Sequence, residues 1–64
     1  MNGEKMRELR QKKGLTTTQL GDMVGVSNAM ITRIETGTKD PSIALLKVIA
    51  DALGVSAGIL IDDE

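Results

Sequence analysis

The chain repeats one signal for the start of a helix at three places. In each copy an apolar residue precedes a hydroxyl residue, and a second apolar residue follows four positions after the hydroxyl. The copies are Leu15-Thr16 with Leu20, Val26-Ser27 with Ile31, and Val55-Ser56 with Leu60. A hydroxyl N-cap satisfies an unpaired backbone N–H, and the two apolar residues pack together across the first turn. Helix starts that lie this close together allow only short helices.

Other signals complete a pattern of five helices. Met6 and Leu9 give the first segment an apolar face, and Ser42 suits a further N-cap. Glycines that suit helix ends separate the segments, namely Gly14, Gly25, Gly37 and Gly54. The predicted helices cover approximately residues 4–13, 17–24, 28–35, 43–53 and 57–61. Since no strand pattern competes, we expect an all-α fold.

Length and composition exclude several classes of function. A chain of 64 residues supports one hydrophobic core, so we expect a single domain over residues 1–64 without a second, effector-sensing domain. Cys and His are absent, which removes thiol nucleophiles, common zinc ligands and the usual general base. No apolar run reaches the roughly 18 residues that span a bilayer, and no signal-peptide pattern follows Met1. The sequence favours a cytoplasmic protein that is not an enzyme and needs no metal or cofactor.

Charge is unevenly distributed along the chain, although the net charge is only −1. Residues 1–13 carry five basic and two acidic side chains, whereas residues 51–64 carry four acidic and no basic ones. Such charges are often no more than an ordinary solvated surface. One end of the molecule is nevertheless suited to phosphate, and the other is not.

Residues 16–36 carry the most informative local pattern. The linker Gly25-Val26-Ser27 is too short for two antiparallel helices to lie side by side, so the helices that it joins must cross steeply. Gly21 suits a close approach between them, which a side chain larger than Ala would prevent. This is helix-turn-helix geometry, in which the second helix presents its N-terminal residues to the DNA major groove. A tight helix pair in an ordinary bundle is the alternative.

Segments spread over nearly the whole chain match one known family. They are residues 7–10 (RELR), 15–27 (LTTTQLGDMVGVS), 31–37 (ITRIETG), 41–42 (PS) and 49–56 (IADALGVS). On these segments the chain resembles the Cro/repressor helix-turn-helix family, also called the xenobiotic-response-element family. The resemblance implies a five-helix, lambda-repressor-like fold and a sequence-specific DNA-binding transcriptional regulator that acts as a repressor. The chain departs from the family at Thr17, where Gln is usual, at Gly21, where Ala is most frequent, and at Ile59, where an acidic residue is frequent.

The resemblance also implies which side chains contact DNA. Asn28 suits an adenine edge, Arg33 suits a guanine or a phosphate, and Ala29 suits a thymine methyl group. The loop after the second helix would lie along the sugar-phosphate backbone and contact it through backbone N–H groups and Lys39. The predicted DNA-contacting residues are Thr17, Thr18, Ser27, Asn28, Ala29, Thr32, Arg33, Thr38 and Lys39.

Structural roles compete with DNA contact at some of these positions. Asn28 alternatively supports the cap of its own helix, and Arg33 alternatively pairs with Asp22. Glu35 is acidic next to the predicted interface. The resemblance implies that a side chain at this position bonds within the protein, and we expect it to pair with Arg10 of the first helix.

Apolar residues exceed what one small core requires. The predicted core consists of Leu20, Val24, Val26, Ile31, Ile34, Leu46, Ile49 and Leu53. A second apolar group remains and predicts a homodimer interface formed by Leu45, Val48, Ala52, Ile59, Leu60 and Ile61. A two-fold dimer would bind a palindromic operator in double-stranded DNA.

Other functions remain open for this fold. The domain is alternatively an antitoxin or a controller protein of a restriction-modification system. A protein-interaction adaptor with a degenerate helix-turn-helix is the alternative from another class. Partners other than DNA and a second copy of the chain would then be proteins such as a toxin or an antirepressor. None of these functions involves a membrane.

Overall fold

The computed structural model describes residues 1–61, which form five α-helices and no strand. The helices are α1 (Gly3–Lys12), α2 (Thr17–Val24), α3 (Asn28–Thr36), α4 (Ile43–Leu53) and α5 (Ala57–Ile61). The five predicted helices are confirmed, with bounds that differ by at most one residue. No helix in this part of the chain is long and apolar enough to cross a membrane. The acidic residues Asp62, Asp63 and Glu64 lie outside the described residues.

Side-chain caps fix where the helices begin. Thr16 forms a reciprocal pair with Gln19, in which the hydroxyl of Thr16 accepts from the Gln19 N–H at 3.0 Å and the Gln19 side chain accepts from the Thr16 N–H at 2.9 Å. Ser27 and Ser42 cap α3 and α4, as predicted. Asn2 caps α1, which explains why this helix begins at Gly3 instead of the predicted residue 4.

The core is aliphatic and draws on all five helices. Its buried side chains are Met6, Leu20, Ile31, Ile34, Leu46, Ile49, Ala50, Leu53 and Leu60. Six of the eight predicted core residues are buried, while Val24 and Val26 are half-buried against the others. Helix α4 contributes four of these side chains and packs against α2 and α5, whereas α3 packs against α2 and α1.

Leu60 belongs to the core and not to the predicted subunit interface. The short helix α5 packs against α1 and α4, and the Asn2 N–H donates to the Leu60 carbonyl oxygen at 2.6 Å. In this arrangement the Leu60 side chain points into the core, and its exposed fraction is 0%. Its neighbours Ile59 and Ile61 point outward and are 42% and 55% exposed. The prediction for Leu60 is therefore wrong, because the side chain has no surface to offer to a partner.

Gly21 lies where the turn between α2 and α3 folds back on α2. A Cβ atom at this position would stand 2.5 Å from the carbonyl oxygen of Val26, far inside van der Waals contact. The predicted close approach is confirmed, but it is tighter than expected, because even an Ala methyl group requires the turn to shift. The contact is also with the turn backbone instead of the next helix. Glycine at position 21 thus sets the distance between α2 and the start of α3.

Candidate nucleic-acid interface

The α3 helix divides its residues between the core and the solvent. Ile31 and Ile34 are buried beneath it, whereas the polar residues of the opposite side are open. The exposed residues on that side are Asn28, Ala29, Thr32 and Arg33. The structure thus exposes on one helix four of the nine residues that the sequence predicts to contact DNA.

A hydrogen bond between the two helices orients Asn28. The Asn28 side-chain nitrogen donates to the hydroxyl oxygen of Thr18 at 3.1 Å. Ser27 caps α3 with its own hydroxyl, which accepts from the Met30 N–H at 3.2 Å, so Asn28 is not needed for the cap. The bond to Thr18 uses one amide hydrogen, and the second hydrogen and the carbonyl oxygen stay available. One donor and one acceptor side by side are what an adenine edge requires.

Arg33 is exposed, and its side chain forms no ion pair within residues 1–61. The Arg10–Glu35 contact is the only ion pair found in residues 1–61, so the alternative pairing of Arg33 with Asp22 does not occur. Guanidinium groups offer several N–H donors in a planar fork, which matches a guanine edge or a phosphate.

The segment after α3 folds back on that helix. The N–H groups of Thr38 and Lys39 both donate to the Arg33 carbonyl oxygen, at 2.9 and 3.3 Å, and the Thr38 hydroxyl does so at 3.2 Å. The prediction that backbone N–H groups here contact phosphate is wrong for Thr38 and Lys39, because closure of the helix end already uses these donors. The exposed side chain of Lys39 still offers a cation on this loop.

The predicted pair of Arg10 and Glu35 is confirmed and is almost completely buried. Arg10 Nε and Nη2 donate to the two Glu35 carboxylate oxygens at 2.6 and 3.1 Å, and Nη1 donates to the Leu15 carbonyl oxygen at 2.7 Å. The side chains are 10% and 6% exposed. The hydrogen bond to Glu35 raises the pKa of Arg10 despite the opposing effect of burial. One guanidinium thus joins α1, the end of α3 and the segment before α2.

Thr17 and Arg7 lie together at a groove next to α3. Thr17 is half-buried at the start of α2, and Arg7 projects from α1. The predicted DNA-contacting residues include Thr17 but omit Arg7. The excess of basic residues in the first 13 positions was the available signal, although charge alone does not say which of them faces the groove.

The remaining predicted interface residues lie on α4 and α5. Val48 is 45% exposed, while Leu45 and Ala52 are half-buried against the core. We call these three residues, together with Ile59 and Ile61 of α5, the α4–α5 apolar surface. Ile43, at the first turn of α4, is 73% exposed and was not predicted.

Comparison with known proteins assigns this chain to a family. The sequence model of a family described as helix-turn-helix matches residues 6–60, which is most of the chain. The chain belongs to the Cro/repressor helix-turn-helix family. The resemblance stated from the sequence is thereby confirmed, together with the five-helix fold.

Individual relatives agree with this assignment. The domain is 34% identical over 62 residues to the uncharacterized HTH-type transcriptional regulator YazB of Bacillus subtilis, covering 97% of this chain and 90% of YazB. It is 44% identical over 54 residues to the HTH-type transcriptional repressor RghR of the same species, covering 83% of this chain but 40% of RghR. The chain therefore spans less than half the length of RghR.

A solved structure shows the same fold next to DNA. The P22 c2 repressor, determined in complex with a synthetic operator, superposes with a TM-score of 0.92 at 34% sequence identity. The match covers 97% of this chain and 94% of the repressor chain in that structure. All five helices of this helix-turn-helix domain thus have counterparts in an operator-binding repressor.

Proposed function

We propose that this domain is a sequence-specific DNA-binding transcriptional regulator that represses by occupying its operator. The observation that carries the proposal is the exposed polar side of α3, in a fold that matches an operator-bound repressor over 97% of the chain. The first residues of α3 would enter the major groove, as in other helix-turn-helix proteins. A protein of this kind acts in the cytoplasm, where the DNA lies.

Each exposed side chain of α3 has a distinct part in reading the sequence. Asn28 would bind an adenine edge, Ala29 would pack against a thymine methyl group, and Arg33 would bind guanine. Ser27 lies immediately before these residues and Thr32 lies among them, and the Lys39 side chain would contact the phosphate backbone. Lys39, like the hydroxyl of Thr17, would position the domain without reading bases.

Selection from a random DNA pool tests the proposal directly. Double-stranded fragments with a randomised centre are incubated with the domain, separated by gel shift and sequenced. We expect enrichment of a palindrome, since each subunit of a two-fold dimer reads one half-site. A bound fraction with no enriched sequence would contradict sequence-specific recognition and favour the protein-interaction adaptor.

Arg33→Ala should weaken binding to the selected operator by about 1 to 3 kcal/mol. If Arg33 binds a base, affinity falls only for sequences that carry the preferred base at one position. The wild type and Arg33→Ala then bind sequences without that base equally well. Titration against the operator and its single-base variants measures this. Equal weakening on all variants would contradict base recognition and make Arg33 a phosphate contact.

Thr18→Val should relax the preference at the base that Asn28 contacts, by about 1 kcal/mol. Valine keeps the shape of threonine but cannot accept the hydrogen bond from Asn28, so the amide can rotate away from the adenine edge. Competition between the operator and its variants at that base pair measures the change. Thr18→Ser keeps the acceptor and is the matched control. Identical preferences for Val and Ser would show that Thr18 does not orient Asn28.

We further propose that the domain binds DNA as a homodimer through the α4–α5 apolar surface. Three exposed apolar side chains, Val48, Ile59 and Ile61, support this location. Two recognition helices must be about 34 to 36 Å apart to occupy successive major grooves. This spacing requires the subunits to contact each other between the two recognition helices. Sedimentation at tens of micromolar measures the mass directly, and a monomer near 6.8 kDa would contradict a preformed dimer.

A further inference from the structure

A groove of about 230 Å³ opens between α1, the start of α2 and α3. Its lining residues are Arg7, Arg10, Thr17, Thr32, Glu35 and Thr36. Thr32 also belongs to the exposed side of α3, so the groove adjoins the side chains that are proposed to read bases. Any molecule that lies along that side of α3 therefore passes the mouth of this groove.

The charge of the groove comes from Arg7. Arg10 and Glu35 neutralise each other, and the three N–H contacts of Arg10 commit its guanidinium to Glu35 and to the Leu15 carbonyl oxygen. Arg7 is exposed and takes no part in an ion pair within residues 1–61. The groove thus carries one uncompensated positive charge at its rim.

Hydrogen-bond donors in the groove are also unevenly distributed. The Thr32 hydroxyl donates to the Asn28 carbonyl oxygen at 3.0 Å, and the Thr36 hydroxyl donates to the Thr32 carbonyl oxygen at 3.0 Å. Their hydrogens therefore point back into α3. The Thr17 hydroxyl has no hydrogen-bond partner among residues 1–61, and the first N–H groups of a helix have no partner within it. Arg7 and the start of α2 consequently supply the donors that a ligand would meet.

We infer that Arg7 and Thr17 together hold one phosphodiester of the DNA backbone in this groove. A singly charged anion matches the single uncompensated cation, and phosphate oxygens accept the hydrogen bonds that the guanidinium and hydroxyl can donate. The inference rests on the proposed DNA binding and adds to it a backbone contact from α1. Arg7 would fix the position of α3 in the major groove without reading a base.

The salt dependence of operator binding tests this contact. Each phosphate neutralised by a side chain contributes about 0.9 to the slope of log K against log salt concentration. Arg7→Ala should lower that slope by about one, while leaving the preferred sequence unchanged. Lys5→Ala is the matched control, because Lys5 is an exposed cation of α1 that projects about 160° away from Arg7 around the helix axis. Arg7→Lys, which keeps the charge, should retain the slope.

A second measurement locates the phosphate. Methylphosphonate is placed at one backbone position at a time in the selected operator, which removes a single negative charge. One position should weaken binding of the wild type but not of Arg7→Ala. Equal slopes for Arg7→Ala and Lys5→Ala, or no position with this behaviour, would overturn the inference while leaving DNA binding intact. Failure of the wild type to bind any selected operator would instead overturn the proposed function.

Discussion

Replacing Arg10 with Met should lower the free energy of unfolding by about 3 to 5 kcal/mol. The substitution keeps an unbranched side chain of similar length but leaves the Glu35 carboxylate without its partner, at 6% exposure. A buried charge without a partner is far more costly than the pair itself, because it loses its hydration and gains nothing. A domain of this size has a total stability of roughly 3 to 10 kcal/mol, so most of it would be lost.

The double substitution separates the cost of the unpaired charge from the loss of the pair. Arg10→Met combined with Glu35→Leu removes both charges and should recover most of the stability, since apolar residues often replace a buried ion pair without loss. Urea denaturation followed by circular dichroism measures all variants. Lys12→Met is the control for removing a cation from an exposed site on α1. If Arg10→Met is no less stable than Lys12→Met, the pair does not have this structural role.

The local part of the fold could be predicted from sequence because its causes are local. An N-cap hydroxyl and the residue three positions later determine a helix start by themselves, as the reciprocal bonds of Thr16 and Gln19 show. A helix end at Gly25 requires a positive φ, which is 82° in the structure and which glycine adopts without strain. The helices were thus predictable to within one residue.

Contacts between distant residues were less predictable. The pairing of Arg10 with Glu35, which are 25 positions apart, was expected because of the family resemblance and not from spacing. The bond from Asn28 to Thr18 depends on how α2 and α3 cross, and nothing in either helix alone specifies it. The closure of α3 by Thr38 and Lys39 likewise follows from the path of the loop, which decides whether an N–H group faces the protein or a ligand.

Helix α5 shows this limit most clearly. Ile59, Leu60 and Ile61 are consecutive apolar residues, so no polar residue among the three marks the exposed side. The orientation is decided by contacts from elsewhere, including the hydrogen bond between the Asn2 N–H and the Leu60 carbonyl oxygen. The predicted packing of Val55 with Leu60 was the one sequence signal that distinguishes Leu60 from its two neighbours, and the interface prediction did not apply it.

That distinction leads to opposite expectations for one substitution at two adjacent positions. Leu60→Asp should unfold the domain, because it places a carboxylate at a site with 0% exposure among aliphatic side chains. The free energy lost includes the roughly 1.5 to 3 kcal/mol that a buried Leu contributes, together with the cost of an unpaired buried charge. Loss of helical circular dichroism at 25 °C measures it. A folded Leu60→Asp variant would contradict the assignment of Leu60 to the core.

Ile61→Asp should instead leave the fold intact and act on the proposed dimer. Ile61 is 55% exposed in the single chain, so a carboxylate there remains hydrated while the domain is alone. In a dimer formed through the α4–α5 apolar surface, two-fold symmetry would bury one such carboxylate from each subunit without a partner, which opposes association. We expect native helicity, a monomeric mass by sedimentation and weaker operator binding. Lys47→Gln, which lowers the net charge by the same one unit at an exposed site on α4, is the control for the change in charge. An Ile61→Asp variant that sediments like a wild-type dimer would place the interface elsewhere, with the exposed Ile43 as the next surface to change.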